Sequence, residues 1–141
     1  MLNFNTKFGR VAKRHLKNEY FIWLTTVDSS GTPQPRPVWF IWETDSFLIF
    51  SQAKAHKLSH INRNPKVALH FNTEDDEGDR PVIIFVGEAA PDTACPPAHL
   101  VPAYFKKYKS GIAGLKMTPA GFSSEYSVAI RIKPTEVRGW E

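Results

Sequence analysis

The chain has 141 residues, 42% hydrophobic and 23% charged, with one cysteine and a formal net charge of +4. That length suits a single domain burying roughly two-thirds of its unfolded surface, and the composition excludes a disordered chain. A lone Cys95 excludes an internal disulfide or a cysteine metal cluster, and no apolar run approaches the ~20 residues of a membrane helix.

The opening stretch MLNFNTKFGRVAKRHLKNEY scatters charges where a signal peptide needs an apolar core. A cytoplasmic protein without a membrane partner is the expectation. Residues 5–17 predict a short amphipathic helix, with Phe8, Val11, Ala12, His15 and Leu16 at roughly helical spacing. YFIWLTTV (20–27) reads as a strand and stops at the turn Asp28-Ser29-Ser30-Gly31. TPQPRPVWFIWE (32–43) reads as a second strand, opening with three prolines at alternate positions. Thr44-Asp45-Ser46 then turns the chain into FLIFS (47–51), completing a three-stranded meander.

AKAHKLSHINRN (53–64) predicts a helix through Leu58 and Ile61, ended by Asn64-Pro65. KVALHFNT (66–73) alternates as a half-buried strand, and EDDEGDR (74–80) reads as an acidic surface loop. PVIIFVGEAA (81–90) is apolar enough to be a strand buried on both faces. After a breaker-rich link, residues 99–108 look helical, 110–122 fit either a mobile loop or a broken helix, and 125–140 read as two strands parted at Lys133-Pro134. Six or seven strands with short connections and few helices predict a mainly β fold, an antiparallel barrel with peripheral helices. One domain spans residues 1–141.

Chemistry concentrates at the strand-to-helix junction of residues 47–58. A helix start presents unpaired N–H groups and a positive dipole end. Ser51 and Gln52 add donors there, Lys54 and Lys57 stand one helical turn apart, and Arg36 could add a forked grip. An anion site and a solvated basic helix start both fit this pattern. Pro33, Pro35 and Pro37 place their strand at a sheet edge, leaving Val38 and Trp39 to address a flat ligand or to cap a protected edge. His56 and His60 have a zinc-like spacing but no third ligand, so no metal is expected. His70 is conceivable as an acid or base, and no catalytic residue is assigned. The basic excess is modest and without charge blocks, which argues against a nucleic-acid partner.

Three runs, LTTVDSSGTPQPRPVWFIWE, LIFSQAKAHKLSHINRNPKVALHF and VAIRIKPTEVRGW, with the Gly87-Glu88-Ala89 step, occur in this order. In this combination the chain resembles the pyridoxamine-phosphate-oxidase-like flavin-binding split barrels, above all their small deazaflavin-dependent members. The resemblance implies a six-stranded antiparallel split barrel that forms a homodimer with two cofactor sites at the subunit interface. It implies that Arg36, Pro37, Val38 and Trp39 line the flavin ring, and that Ser51, Gln52, Lys57 and, as a helper, Lys54 bind the phosphate. Arg138 and Trp140 would come from the partner subunit. The implied cofactor is FMN or the deazaflavin F420, whose longer tail Lys106, Lys107 and Lys109 could meet. The implied activity is that of an oxidoreductase acting on a small molecule, while the arginine-rich phosphate motif of true vitamin oxidases is lacking. A carrier holding flavin or haem without turnover is the alternative reading, and a nucleic-acid-binding barrel a more distant one.

Overall fold

A computed structural model describes residues 3–74 and 80–140. Within them the chain forms α1 (Lys7–Asn18), β1 (Phe21–Val27), β2 (Pro33–Trp39), β3 (Ile41–Glu43), β4 (Ser46–Ser51) and α2 (His56–Arg63). It continues as β5 (Lys66–His70), β6 (Val82–Pro91), a single 3-10 turn (Ala98–Leu100), α3 (Pro102–Gly114), α4 (Pro119–Glu125) and β7 (Val128–Trp140). The greater part of the acidic tract, residues 75–79, lies outside the described residues.

The strands form one antiparallel sheet in the order β2-β1-β5-β6-β7-β4-β3, curled into a half-barrel with four α-helices around it. The implied count of six strands is therefore corrected to seven. The segment 32–43 does not run through as one strand but divides at Phe40 into β2 and β3, which occupy opposite edges of the sheet. The C-terminal segment errs the other way. Residues 128–140 form one strand, and the register against β6 slips between Val86 and Gly87, so that Val86 faces Glu136 while Gly87 faces Pro134. Thr135 is the extra residue of a bulge, a place where a strand tolerates the proline that the sequence reads as a boundary.

The three alternate prolines do lie on an edge strand, β2, which among the described residues is hydrogen-bonded to β1 alone. Alternation in β1 turns Ile22, Leu24 and Thr26 inward. Phe40, Phe47, Ile49, Leu69, Phe85, Ile130 and Ile132 fill the barrel with them, and Ala12 and Leu16 of α1 close one side. A second apolar cluster lies outside the barrel wall, where Leu48 and Phe50 meet Tyr104, Tyr108, Ile112 and Phe122 of α3 and α4. β4 is consequently buried on both faces along its whole length. The ambiguous stretch 110–122 is the end of α3, a tight turn, and α4, which Thr118 caps by accepting from the Gly121 N–H.

The break at Phe40 is held by α3. The Tyr108 hydroxyl accepts from the Phe40 N–H at 2.8 Å and lies 2.5 Å from the Tyr20 carbonyl and 2.9 Å from the Phe40 carbonyl. Lys107 Nζ donates to that same Phe40 carbonyl at 2.9 Å and sits 3.8 Å over the Phe40 ring. These side chains supply the hydrogen bonds that a sheet ladder would otherwise make, as a buried peptide requires. Tyr108→Phe strands the buried Phe40 N–H and is expected to cost about 1–3 kcal/mol. The urea unfolding midpoint measures the loss, and an unchanged midpoint would show that the break is held by packing alone.

Candidate functional site

β2 ends beside α3 and α4, and the space between them is a cleft of about 270 Å³. Pro37, Val38 and Trp39 of β2 line it together with Phe50, Leu115, Phe122, Tyr126 and Lys57. Trp39 is fixed by its neighbours. Its ring stacks on Tyr108 with centroids 4.5 Å apart and planes 7° apart, and on Phe122 at 5.7 Å and 22°. Gly111 permits this approach, because a Cβ there would collide with the Tyr20 hydroxyl and the Trp39 ring. Phe122 in turn stacks on Tyr126 at 4.6 Å. A flat aromatic wall of this kind is stiff and presents π faces to whatever enters.

The charge at the margin is uncompensated. Burial, and then the positive charge of Arg36, push the Lys57 ammonium below its ordinary pKa. Arg36 donates only to the carbonyl of its own neighbour Pro35, at 2.8 Å, among the contacts of the described residues. None of the described residues lining the cleft is a carboxylate. α2 begins beside this pair with Ala55 at its N-cap position and no side-chain cap, so its first-turn N–H groups are unmatched by a side chain. Lys57, the Arg36 charge that acts on it and the uncapped start of α2 form an arrangement that can receive an anion.

The residues singled out in the sequence divide into three groups. Pro37, Val38, Trp39 and Lys57 come together around one cleft, with Arg36 close enough to perturb Lys57. Ser51, Gln52 and Lys54 flank it without lining it. Ser51 is buried and its hydroxyl donates to the Gln52 carbonyl at 3.0 Å, while the Gln52 amide donates to Glu125 at 2.9 Å and ties β4 to α4. Lys54 is exposed in the turn before α2, because the helix starts at His56 and not at residue 53. Lys54 and Lys57 are therefore not on one helical turn. Arg138 and Trp140 stand at the end of β7, opposite Ile84 and Val82, with Arg138 paired to Glu136 at 3.2 Å and Trp140 65% exposed.

Sequence reasoning missed Phe50, Leu115, Phe122 and Tyr126. Leu115 and Phe122 belong to the stretch 110–122 left open between loop and helix, Tyr126 to the segment read as a strand, and the Thr118-Pro119 start of α4 was the available signal. The histidines are engaged elsewhere. His60 shares a 2.8 Å hydrogen bond with Thr26, and His70 stacks on Trp23, its cross-strand neighbour on β1. Among the described residues, no group of three or more His, Cys, Asp or Glu side chains is gathered as metal ligands would be. No helix among them is long and apolar enough to cross a membrane.

Comparison with known proteins agrees with this architecture. The family profile described as pyridoxamine 5'-phosphate oxidase matches residues 9–141. A pyridoxine/pyridoxamine 5'-phosphate oxidase 2 of Hydrogenovibrio crunogenus (strain DSM 25203 / XCL-2) is 33% identical over 72 residues, half of this chain and 34% of that protein. The chain thus aligns with about a third of that relative's length. Among solved structures, an F420 reductase superposes with a TM-score of 0.69 at 24% identity, covering 89% of this chain and 94% of its own. The haem storage protein HutZ of Vibrio cholerae gives a TM-score of 0.65 at 15% identity, covering 94% of each chain.

A partly buried ammonium group held beside a second positive charge should weaken the fold that carries it. Lys57 binds its proton less tightly in the folded than in the unfolded chain, and Lys107, lowered to about 8 by burial, does the same. The unfolded state therefore holds more protons between these lowered values and the ordinary 10.5 of lysine, and stability rises with pH across that window. Lys57→Met is expected to raise stability at pH 7 by about 0.5–1 kcal/mol and to shrink the gain between pH 7 and 9.5. Urea midpoints at the two pH values check this, and a destabilised variant would contradict it.

Proposed function

The chain belongs to the pyridoxamine 5'-phosphate oxidase family, and from that premise we propose that it binds a flavin, FMN or the deazaflavin F420, in the cleft beside Trp39 and acts as an oxidoreductase on a small molecule. The observation that carries this reading is the Lys57–Arg36 pair at the margin of an aromatic cleft whose lining holds no carboxylate. A flavin matches both halves of the arrangement. Its flat ring suits the wall of Pro37, Val38 and Trp39, and its phosphate suits two cations beside the uncapped start of α2. A bound phosphate would also offset the burial and the Arg36 charge that lower the Lys57 pKa.

The bound flavin supplies hydride or electron transfer, while the protein supplies binding, orientation and electrostatics. Trp39, stacked on Tyr108 and Phe122, fixes the plane against which the ring lies. Leu115, half-exposed at the cleft mouth, and Tyr126 exclude water from one side. No side chain in the cleft is placed as an acid or base, so the proposed protein contribution is positioning.

The site is completed by a second copy of the chain. A cleft of about 270 Å³ falls below the ~300–1,000 Å³ of sites that enclose a whole ligand. The outer sheet face offers a surface for such a partner. Trp23, Ile84, Val86 and Trp140 stand on β1, β6 and β7 with their side chains only half-buried or exposed. A homodimer across this face would give Arg138 and Trp140 a role at the partner's cleft.

Titration of apo-protein with FMN, read by flavin fluorescence, tests the proposal. Saturable binding is expected, weakened at least tenfold, about 1.4 kcal/mol, in Lys57→Ala and weakened further by added salt. Equal affinity in wild type and variant would overturn the assignment, a Soret band on haem addition without flavin binding would favour the carrier reading, and F420 binding in place of FMN would identify the deazaflavin.

A further inference from the structure

On the other side of α3 from the flavin cleft lies a groove of about 590 Å³, within the range of small-molecule sites. We propose that this groove is a second ligand site, taking a small amphipathic carboxylate whose acid group sits among the lysines and whose aromatic or short alkyl body lies on the apolar floor. The floor is built by Leu16 of α1, Ile41 and Trp42 of β3, and Ala103 of α3. Leu16 and Ile41 are buried, and Trp42 is wedged edge-on against Phe4 and Phe47 at 6.1 and 4.9 Å.

The rim is wholly cationic. Lys13 and Lys17, four residues apart on one face of α1, look across at Lys106 and Lys107 of α3. Among the described residues, no carboxylate and no arginine lines the groove. Exposed lysines alone would make an ordinary solvated face, but Lys107 is different. It is half-buried, and one of its three ammonium hydrogens goes to the Phe40 carbonyl, leaving two donors for a ligand at the head of the groove. Burial lowers its pKa to about 8, with the Glu19 charge pulling weakly the other way. The fold therefore holds this cation with too little negative charge beside it, and a ligand acid group would provide what is missing.

The chemistry of the head follows from the donor set. Ammonium groups are point charges that take any small anion, so the lysines call for an acid group and the apolar floor decides what carries it. Inorganic phosphate leaves that floor uncovered, whereas a carboxylate bearing a bicyclic ring or a short chain covers it.

Calorimetric titration of the full chain with 1-naphthylacetate tests the site, with 2-(1-naphthyl)ethanol and inorganic phosphate as comparisons. Saturation at one site per chain is expected, at least tenfold tighter than for the neutral alcohol or for phosphate. The exposed double variant Lys13→Gln/Lys17→Gln should bind naphthylacetate several-fold more weakly with unchanged FMN affinity, and Lys107→Met should lose at least tenfold. Equal binding of acid and alcohol, or full affinity in the double variant, would overturn the proposal. So would competition by FMN, which would move naphthylacetate into the cleft at Trp39.

Discussion

Between β2 and β3 the backbone of Phe40 leaves the sheet, and its two hydrogen-bonding groups are taken by side chains of one helical turn in α3. Tyr108 receives the N–H and contacts the carbonyl, and Lys107 donates to that carbonyl from the other side. The Phe40 ring itself is fully buried in the barrel. One residue is thus anchored in the core by its side chain and to an outer helix by its backbone. Since a buried peptide left unpaired is expensive, the position of α3 relative to the sheet edge is fixed by these few bonds.

The consequences run outward in both directions along the chain. Trp39, immediately before the break, is turned onto the Tyr108 ring and becomes the aromatic wall of the flavin cleft. Ile41 and Trp42, immediately after it, form the floor of the lysine-rimmed groove on the opposite side of α3. The same break sends β2 and β3 to opposite edges of the seven-stranded sheet. Loss of the grip at Phe40 would disturb both concavities, since Tyr108 backs the Trp39 ring of one and Lys107 lines the other.

Much of this was legible in the sequence because it rests on local rules. The prolines at 33, 35 and 37 reported an edge strand, and β2 is one. Alternation in β5 marked its buried face, and the helical spacing of Ala12 and Leu16 marked the side of α1 that packs on the barrel. The junction after Ser51 was visible as a strand running into a helix, although Lys54 belongs to the preceding turn and Ser51 spends its hydroxyl on its own neighbour. What was not legible depends on long-range partners. The break at Phe40 has no turn residue to mark it, because it is made by Tyr108, 68 residues away. The aromatic side of the cleft formed by Phe122 and Tyr126 depends on how α4 folds back, and Pro134 reads as a boundary unless the opposing Gly87 and its bulge are known.

The central claim is that the cleft bounded by Trp39 and Lys57 receives the flavin. Amide chemical-shift mapping of the labelled protein during FMN addition tests it most directly. The account predicts that the shifts concentrate at Val38, Trp39, Lys57 and Leu115 and at the start of α2. Shifts confined to Lys13, Lys17 and Lys106, with Trp39 and Lys57 unmoved, would contradict it.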